Sequence, residues 1–133
     1  MDIKKDAFGH MLEAYMSQKK TYDPWQIWET LEREDGLMIR RDDISGYFAG
    51  FKYWHEIEKQ AIKHASGKVL DIGAGAGRVS IYLQESGCDV TAIDNSPLAI
   101  KVCKARGVRQ AEILQVDEID RFRFSSFDTV VMF

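Results

Sequence analysis

Apolar positions change period along this chain, from helical spacing near its start to short continuous runs in its second half. Phe8, Met11, Leu12, Tyr15 and Met16 fall at i, i+3, i+4, i+7 and i+8, one face of a helix that must dock on something. Asp23-Pro24 breaks that pattern. Glu34-Asp35-Gly36 then sits between Thr30-Leu31 and Leu37-Met38-Ile39, an Asp-Gly turn with apolar flanks that predicts a short hairpin. Trp25, Trp28 and Leu31 also stand at helical spacing, so a helix from Trp25 to Arg33 competes for the same residues. Asp42 or Asp43 can cap a helical turn leading to Tyr47 and Phe48. A longer helix is expected from about Phe51 to His64, with Trp54, Ile57, Ala61 and Ile62 turned inward.

After Ser66-Gly67 strand and helix alternate. Strands are predicted over 68–72, 89–93, 112–116 and 127–133, and helices over 78–85 and 97–106. Pro97 at a helix start and Gly87 and Gly107 at helix ends agree with those bounds. Such alternation predicts an α/β fold of parallel βαβ units, with right-handed crossovers and helices on both faces of the sheet. Residues 1–66 are then an N-terminal segment of helices and a possible hairpin, and residues 67–133 form the parallel sheet.

Composition narrows the function. With 133 residues, 45% hydrophobic and 29% charged, the chain is an ordinary soluble domain able to bury a core. Its net charge of −3 offers no basic field for a phosphate backbone, so no nucleic-acid partner is implied and a small-molecule ligand fits better. No apolar run approaches a membrane span, and the start, Met1 to Lys5, lacks the apolar stretch of a signal peptide; a cytoplasmic location is expected. Cys88 and Cys103 stand outside any metal-ligand spacing with His10, His55 or His64 and are expected to be reduced and buried, with no metal.

The chemistry concentrates in residues 69–78, Val-Leu-Asp-Ile-Gly-Ala-Gly-Ala-Gly-Arg. Gly73, Gly75 and Gly77 let the backbone turn after the strand and admit a ligand against main-chain amides, and the next helix starts with unpaired N–H groups. The dinucleotide fingerprint G-x-G-x-x-G places its third glycine one residue later, where this chain has Arg78. That argues against NAD or FAD. The second strand ends in Asp94, about 20 residues after the first glycine, where a carboxylate accepts hydrogen bonds from vicinal ribose hydroxyls.

Asp71-x-Gly73-x-Gly75-x-Gly77 resembles motif I of the Rossmann-like, class I S-adenosylmethionine-dependent methyltransferases, and Asp94-Asn95-Ser96-Pro97 resembles their Asp-x-Ser-Pro segment. Upstream, Glu32 to Gly36, Tyr47-Phe48, Trp54 and Glu58 look like the N-terminal half of a bacterial group of small-molecule methyltransferases. The resemblance implies S-adenosylmethionine as cofactor and a small-molecule methyl acceptor. It places the methionine portion on the glycine loop, ribose on Asp94, and adenine beside Asn95. It also puts Asp117 near the adenine amino group, though an acid closing a strand is commonly a turn residue. Asp71 is implied either to fix the loop by accepting its N–H groups or to hold the cofactor amino group through water.

In the fold so implied the strand order is 3-2-1-4-5-7-6, of which this chain supplies 3-2-1-4 and ends inside the fourth strand. Little activity alone is expected, and the unpaired fourth strand is expected to pair two copies. A noncatalytic, cofactor-binding or self-associating module is the alternative. His55 as an acceptor-side base and Tyr47 at the cofactor carboxylate each compete with simple packing. Lys101, Lys104, Arg106 and Arg109 read as a solvated helix face.

Overall fold

The computed structural model describes residues 1–18, 27–41, 43–123 and 125–133. Helix α1 (Ala7–Gln18) forms on the predicted stripe. Leu12 is buried among Ala76, Ala99 and Val102, with Phe8, Met11 and Met16 packed around them. The hairpin also forms, as β1 (Glu29–Glu32) and β2 (Met38–Arg41) in antiparallel register, so Glu29 to Glu32 are not helical. Its turn needs Gly36 at φ 82°, where the amide of Gly36 donates to the Arg33 carbonyl. Asp23-Pro24 and the start of the competing helix lie outside the described residues, as does Asp42. Asp43 is not the cap of the next turn, Ser45–Phe48, whose N-cap is Ile44; it stands one residue earlier and accepts from the Ser45 amide at 2.9 Å.

The long helix expected over residues 51–64 is broken. Phe51–Tyr53 is a single 3-10 turn, Trp54 is extended at ψ 155°, and α2 covers only Glu56–Ile62. The indole explains the break: Nε1 of Trp54 donates to the Ala49 carbonyl, and its ring packs on Phe51 and Tyr82. Continuing a helix through Trp54 would move the ring off both. The shift in phase leaves Ile57 80% exposed and Ala61 on the surface, while Ile62 and Trp54 are buried.

From residue 68 the parallel sheet appears: β3 (Lys68–Ile72), α3 (Arg78–Glu85), β4 (Asp89–Asp94), α4 (Pro97–Ala105), β5 (Ala111–Ile113) and β6 (Thr129–Val131). The order is β5-β4-β3-β6, all parallel, which is the predicted third-second-first-fourth arrangement. Two strands are shorter than predicted. β5 stops at Ile113 because Leu114 turns into the core and Val116–Arg121 winds into a 3-10 turn. β6 is limited to residues facing β3, its register set by the Lys68 amide donating to Asp128 and by Thr129 Oγ1 bonding Ser66.

The expectation of helices on both faces is corrected. Val69, Val90 and Val131 pack on Trp54, Ile62 of α2, and Val79 and Leu83 of α3, while Ala92 and Ala111 pack on Ile100 and Cys103 of α4. Among the described residues these helices share one face. Crossovers of one hand that step in one direction across a sheet place their helices on the same side, and β3 to β4 to β5 steps one way. Among the described residues the other face, Leu70, Ile72 and Ile93, clusters with Leu114, Phe122 and Phe127. It opens as a hollow of about 570 Å³ beside Leu70, Phe127 and Val130.

Candidate functional site

The glycine loop runs from the end of β3 across the tip of β4. Amides of Gly73 and Ala74 both donate to the Ile93 carbonyl, at 2.9 and 3.0 Å, and the Gly77 amide donates to the Ala74 carbonyl at 2.7 Å. This path uses left-handed backbone at three positions, Gly73, Gly75 and Gly77, with φ of 72°, 53° and 77°. Gly77 is also packed: a Cβ there would stand 2.8 Å from Cys103 Sγ and 2.8 Å from Val108 Cγ2. Around Gly73 a Cβ would meet no other atom of the protein, so within the chain its glycine serves the backbone angle.

Asp94 closes β4 with both carboxylate oxygens committed to backbone. Oδ2 accepts from the Gly75 amide and Oδ1 from the Ser96 amide, each at 2.9 Å. A carboxylate has about four lone-pair sites, so acceptor capacity for two hydroxyls remains at a group whose direction is already fixed. Asn95 beside it is exposed, and α4 begins immediately after, with Ser96 as N-cap accepting from the Ala99 amide at 2.9 Å and Pro97 at the first position.

Asp71 lies just before the loop, in β3. It is 2% exposed on the helix-covered face, and its Oδ2 accepts from Ser80 Oγ of α3 at 2.6 Å. Burial drives its carboxyl up to about 6, against the hydrogen bonds from Ser80 and the charge of Arg78. Asp71 therefore braces α3 under the loop. Asp117 is exposed in the 3-10 turn, four positions beyond the last residue of β5. Gly73, Gly75, Gly77, Asp94 and Asn95 gather at the carboxyl ends of β3 and β4. Asp71 is buried in β3 two residues before Gly73, and Asp117 is in the turn that follows β5 at the same end of the sheet.

Several residues at the site were not read from sequence. Arg106, expected on a solvated face, instead folds back from α4: Nη1 donates to the Ala76 carbonyl at 2.5 Å, Nη2 to the Phe48 carbonyl at 3.2 Å, and its plane lies over the Phe48 ring. Asp6, 1% exposed, joins α1 to the start of α4. Its residue type just ahead of the α1 stripe is a signal that could have marked it as an N-cap; nothing local could have found its partner 90 residues away. Ser80 carried no signal.

On the upstream side, Arg41, Tyr47, Tyr53, Trp54, His55, Glu58 and Arg78 line a hollow of about 220 Å³. Arg78 pairs with Glu58 and Arg41 with Glu29, and the Tyr47 hydroxyl donates to Glu29 at 3.0 Å. His55 is exposed at the start of α2. Cys103 is buried, and burial pushes its thiol up to about 12, so it stays protonated. Cys88, expected to be buried, is only half-buried. Among the described residues no group of His, Cys, Asp and Glu is arranged to hold a metal, and no helix is long and apolar enough to cross a membrane.

This arrangement has known counterparts. Residues 69–133 match the family described as a methyltransferase domain. A solved structure, a SAM-dependent methyltransferase from Bacteroides fragilis in complex with S-adenosyl-L-homocysteine, superposes over 98% of this chain and 51% of its own, with TM-score 0.83 and 30% identity. Among curated proteins, a ribosomal protein L11 methyltransferase from Heliobacterium modesticaldum is 29% identical over 92% of this chain and 40% of its own. A ubiquinone biosynthesis O-methyltransferase from Xanthomonas oryzae pv. oryzae is 32% identical over 50% and 30%. Residues 69–133 belong to the class I, Rossmann-like S-adenosylmethionine-dependent methyltransferases. The chain spans about half of the length of the solved relative and less than half of each curated one.

Proposed function

We propose that this chain binds S-adenosylmethionine and belongs to an enzyme that passes the cofactor's methyl group to a small-molecule acceptor. The observation that carries the reading is Asp94, held by the Gly75 and Ser96 amides at the mouth of a loop whose third glycine comes too early for a dinucleotide. Asp94 takes the ribose hydroxyls, Asn95 borders the adenine, and Gly73, Gly75 and Gly77 bring the backbone against the methionine portion. Asp117 is assigned to the adenine amino group, and Asp71 acts at one remove, by holding α3 in place through Ser80. In the reaction an acceptor atom attacks the methyl carbon, the carbon–sulfur bond breaks, and its electron pair stays on sulfur as S-adenosylhomocysteine is released.

Methyl transfer depends on in-line alignment, which supplies about 7 to 11 kcal/mol of barrier reduction in well-oriented reactions. The matched relatives are about twice this chain's length or more, so we infer little turnover by this polypeptide alone. The named relatives differ in what their names say they serve, and no acceptor is assigned from them. Calorimetry tests the cofactor reading. Saturable binding of S-adenosylhomocysteine, none of NAD, and loss of at least tenfold in affinity in Asp94→Ala are expected; equal binding of NAD would overturn it.

A further inference from the structure

Asp6 is a buried carboxylate in the first turn of the chain, and every hydrogen bond to it comes from the N-terminal end of a helix. Its Oδ1 accepts from the Gly9 amide at 2.8 Å, capping α1, the helix it starts. Its Oδ2 accepts from the Leu98 amide at 3.1 Å and from Ser96 Oγ at 2.7 Å, both at the start of α4. One carboxylate thus caps two helices, lying between the positive ends of both dipoles. Gly9 makes the approach possible, since a Cβ there would overlap Asp6 Oδ2 and stand 2.5 Å from Ser96 Oγ and 2.6 Å from Leu98 Cβ.

The chain of contacts continues into the cofactor site. Ser96 gives its hydroxyl to Asp6 and its amide to Asp94 Oδ1, while Asp94 Oδ2 holds the Gly75 amide. Asp6, Ser96, Asp94 and Gly75 are therefore linked in series. In parallel, α1 lays Phe8 beside the loop, 3.7 Å from where a Gly75 Cβ would stand, and Phe8 meets Tyr47 edge to face. Lys101 of α4 also pairs with Glu13 of α1. Burial pushes the Asp6 carboxyl up, but the hydrogen bonds from Ser96, Leu98 and Gly9 and the nearby His10 outweigh it, so the group sits below its ordinary range as a carboxylate.

We propose that Asp6 is a positioning residue for the cofactor, a latch that seats α1 over the glycine loop and, through Ser96, fixes the Asp94 carboxylate in the direction the ribose requires. The proposal rests on the cofactor reading above. Asp6→Asn keeps the size of the side chain but turns one acceptor oxygen into a donor facing N–H or O–H groups. Calorimetry with S-adenosylhomocysteine on wild type, Asp6→Asn, Ser96→Ala and the double variant is the test. A loss of about tenfold in each single variant, with the double no weaker than the worse single, is expected because both cut one link. Hydrogen exchange in the unaltered chain supplies the readout if a variant fails to fold: S-adenosylhomocysteine should slow exchange across α1 as well as across residues 73–77. Asp6→Asn binding within twofold of wild type, or α1 exchange unchanged by ligand, overturns the latch. No binding by wild type overturns the cofactor reading itself.

Discussion

At the residue scale, Asp71 sets a cost that varies with pH. Its carboxyl, ordinarily near 3.8, is raised to about 6 chiefly by burial. Between those values the folded chain holds a proton that the unfolded chain has released, so stability falls as pH rises through this window and stays lower above it. At 1.36 kcal/mol per unit the loss is about 3 kcal/mol. Asp71→Asn keeps an oxygen for Ser80 Oγ and removes the titration. Urea unfolding of both proteins from pH 4 to 7 should show the variant gaining on wild type up to about pH 6 and holding its advantage beyond. A difference that does not change with pH would show that Asp71 is not the group responsible.

At the scale of elements, the strand–loop–helix unit from β3 to α3 depends on two glycines for different reasons. Gly73→Ala meets open space and pays only for left-handed backbone, about 1–2 kcal/mol. Gly77→Ala pays the same and drives a methyl into Cys103 and Val108, adding about 1–3 kcal/mol of overpacking. Denaturation midpoints should rank wild type, Gly73→Ala and Gly77→Ala in falling order; equal losses would mean that α4 yields to the new methyl. Much of this unit was legible beforehand. The acid, the glycines, Asp94 and the Ser-Pro helix start lie within 27 residues and obey local rules of turn, cap and period. What was not legible depends on particular side-chain contacts that rules of turn, cap and period do not carry. The helix expected over 51–64 breaks because the Trp54 indole reaches the Ala49 carbonyl and the rings of Phe51 and Tyr82. Arg106 leaves its solvated face because the Ala76 and Phe48 carbonyls are within reach. Asp6 finds its partners 90 and 92 positions away.

For the whole molecule, the sheet is asymmetric. Its helix-covered face is closed, while Val130 on the other is 58% exposed and Met132 and Phe133 extend the apolar surface beyond β6. Among the described residues β6 pairs with β3 alone, leaving the outer edge of the strand without a neighbour. Such an edge templates pairing with another chain, and we propose that two copies of this polypeptide associate there. Sedimentation should show a mass that rises with concentration, and Val130→Lys should return it to that of a monomer. A single mass at all concentrations would count against pairing.

The double cap at Asp6 also orders events in time. A 12-residue helix is marginal by itself in water, and the groups that seat α1 on α4 lie 90 and 92 positions later in the chain. During synthesis at about 5–20 residues per second the first helix therefore waits roughly 5 to 20 s for its anchor to be made. Helix α1 is made early but can take its place only once residues 96–98 exist.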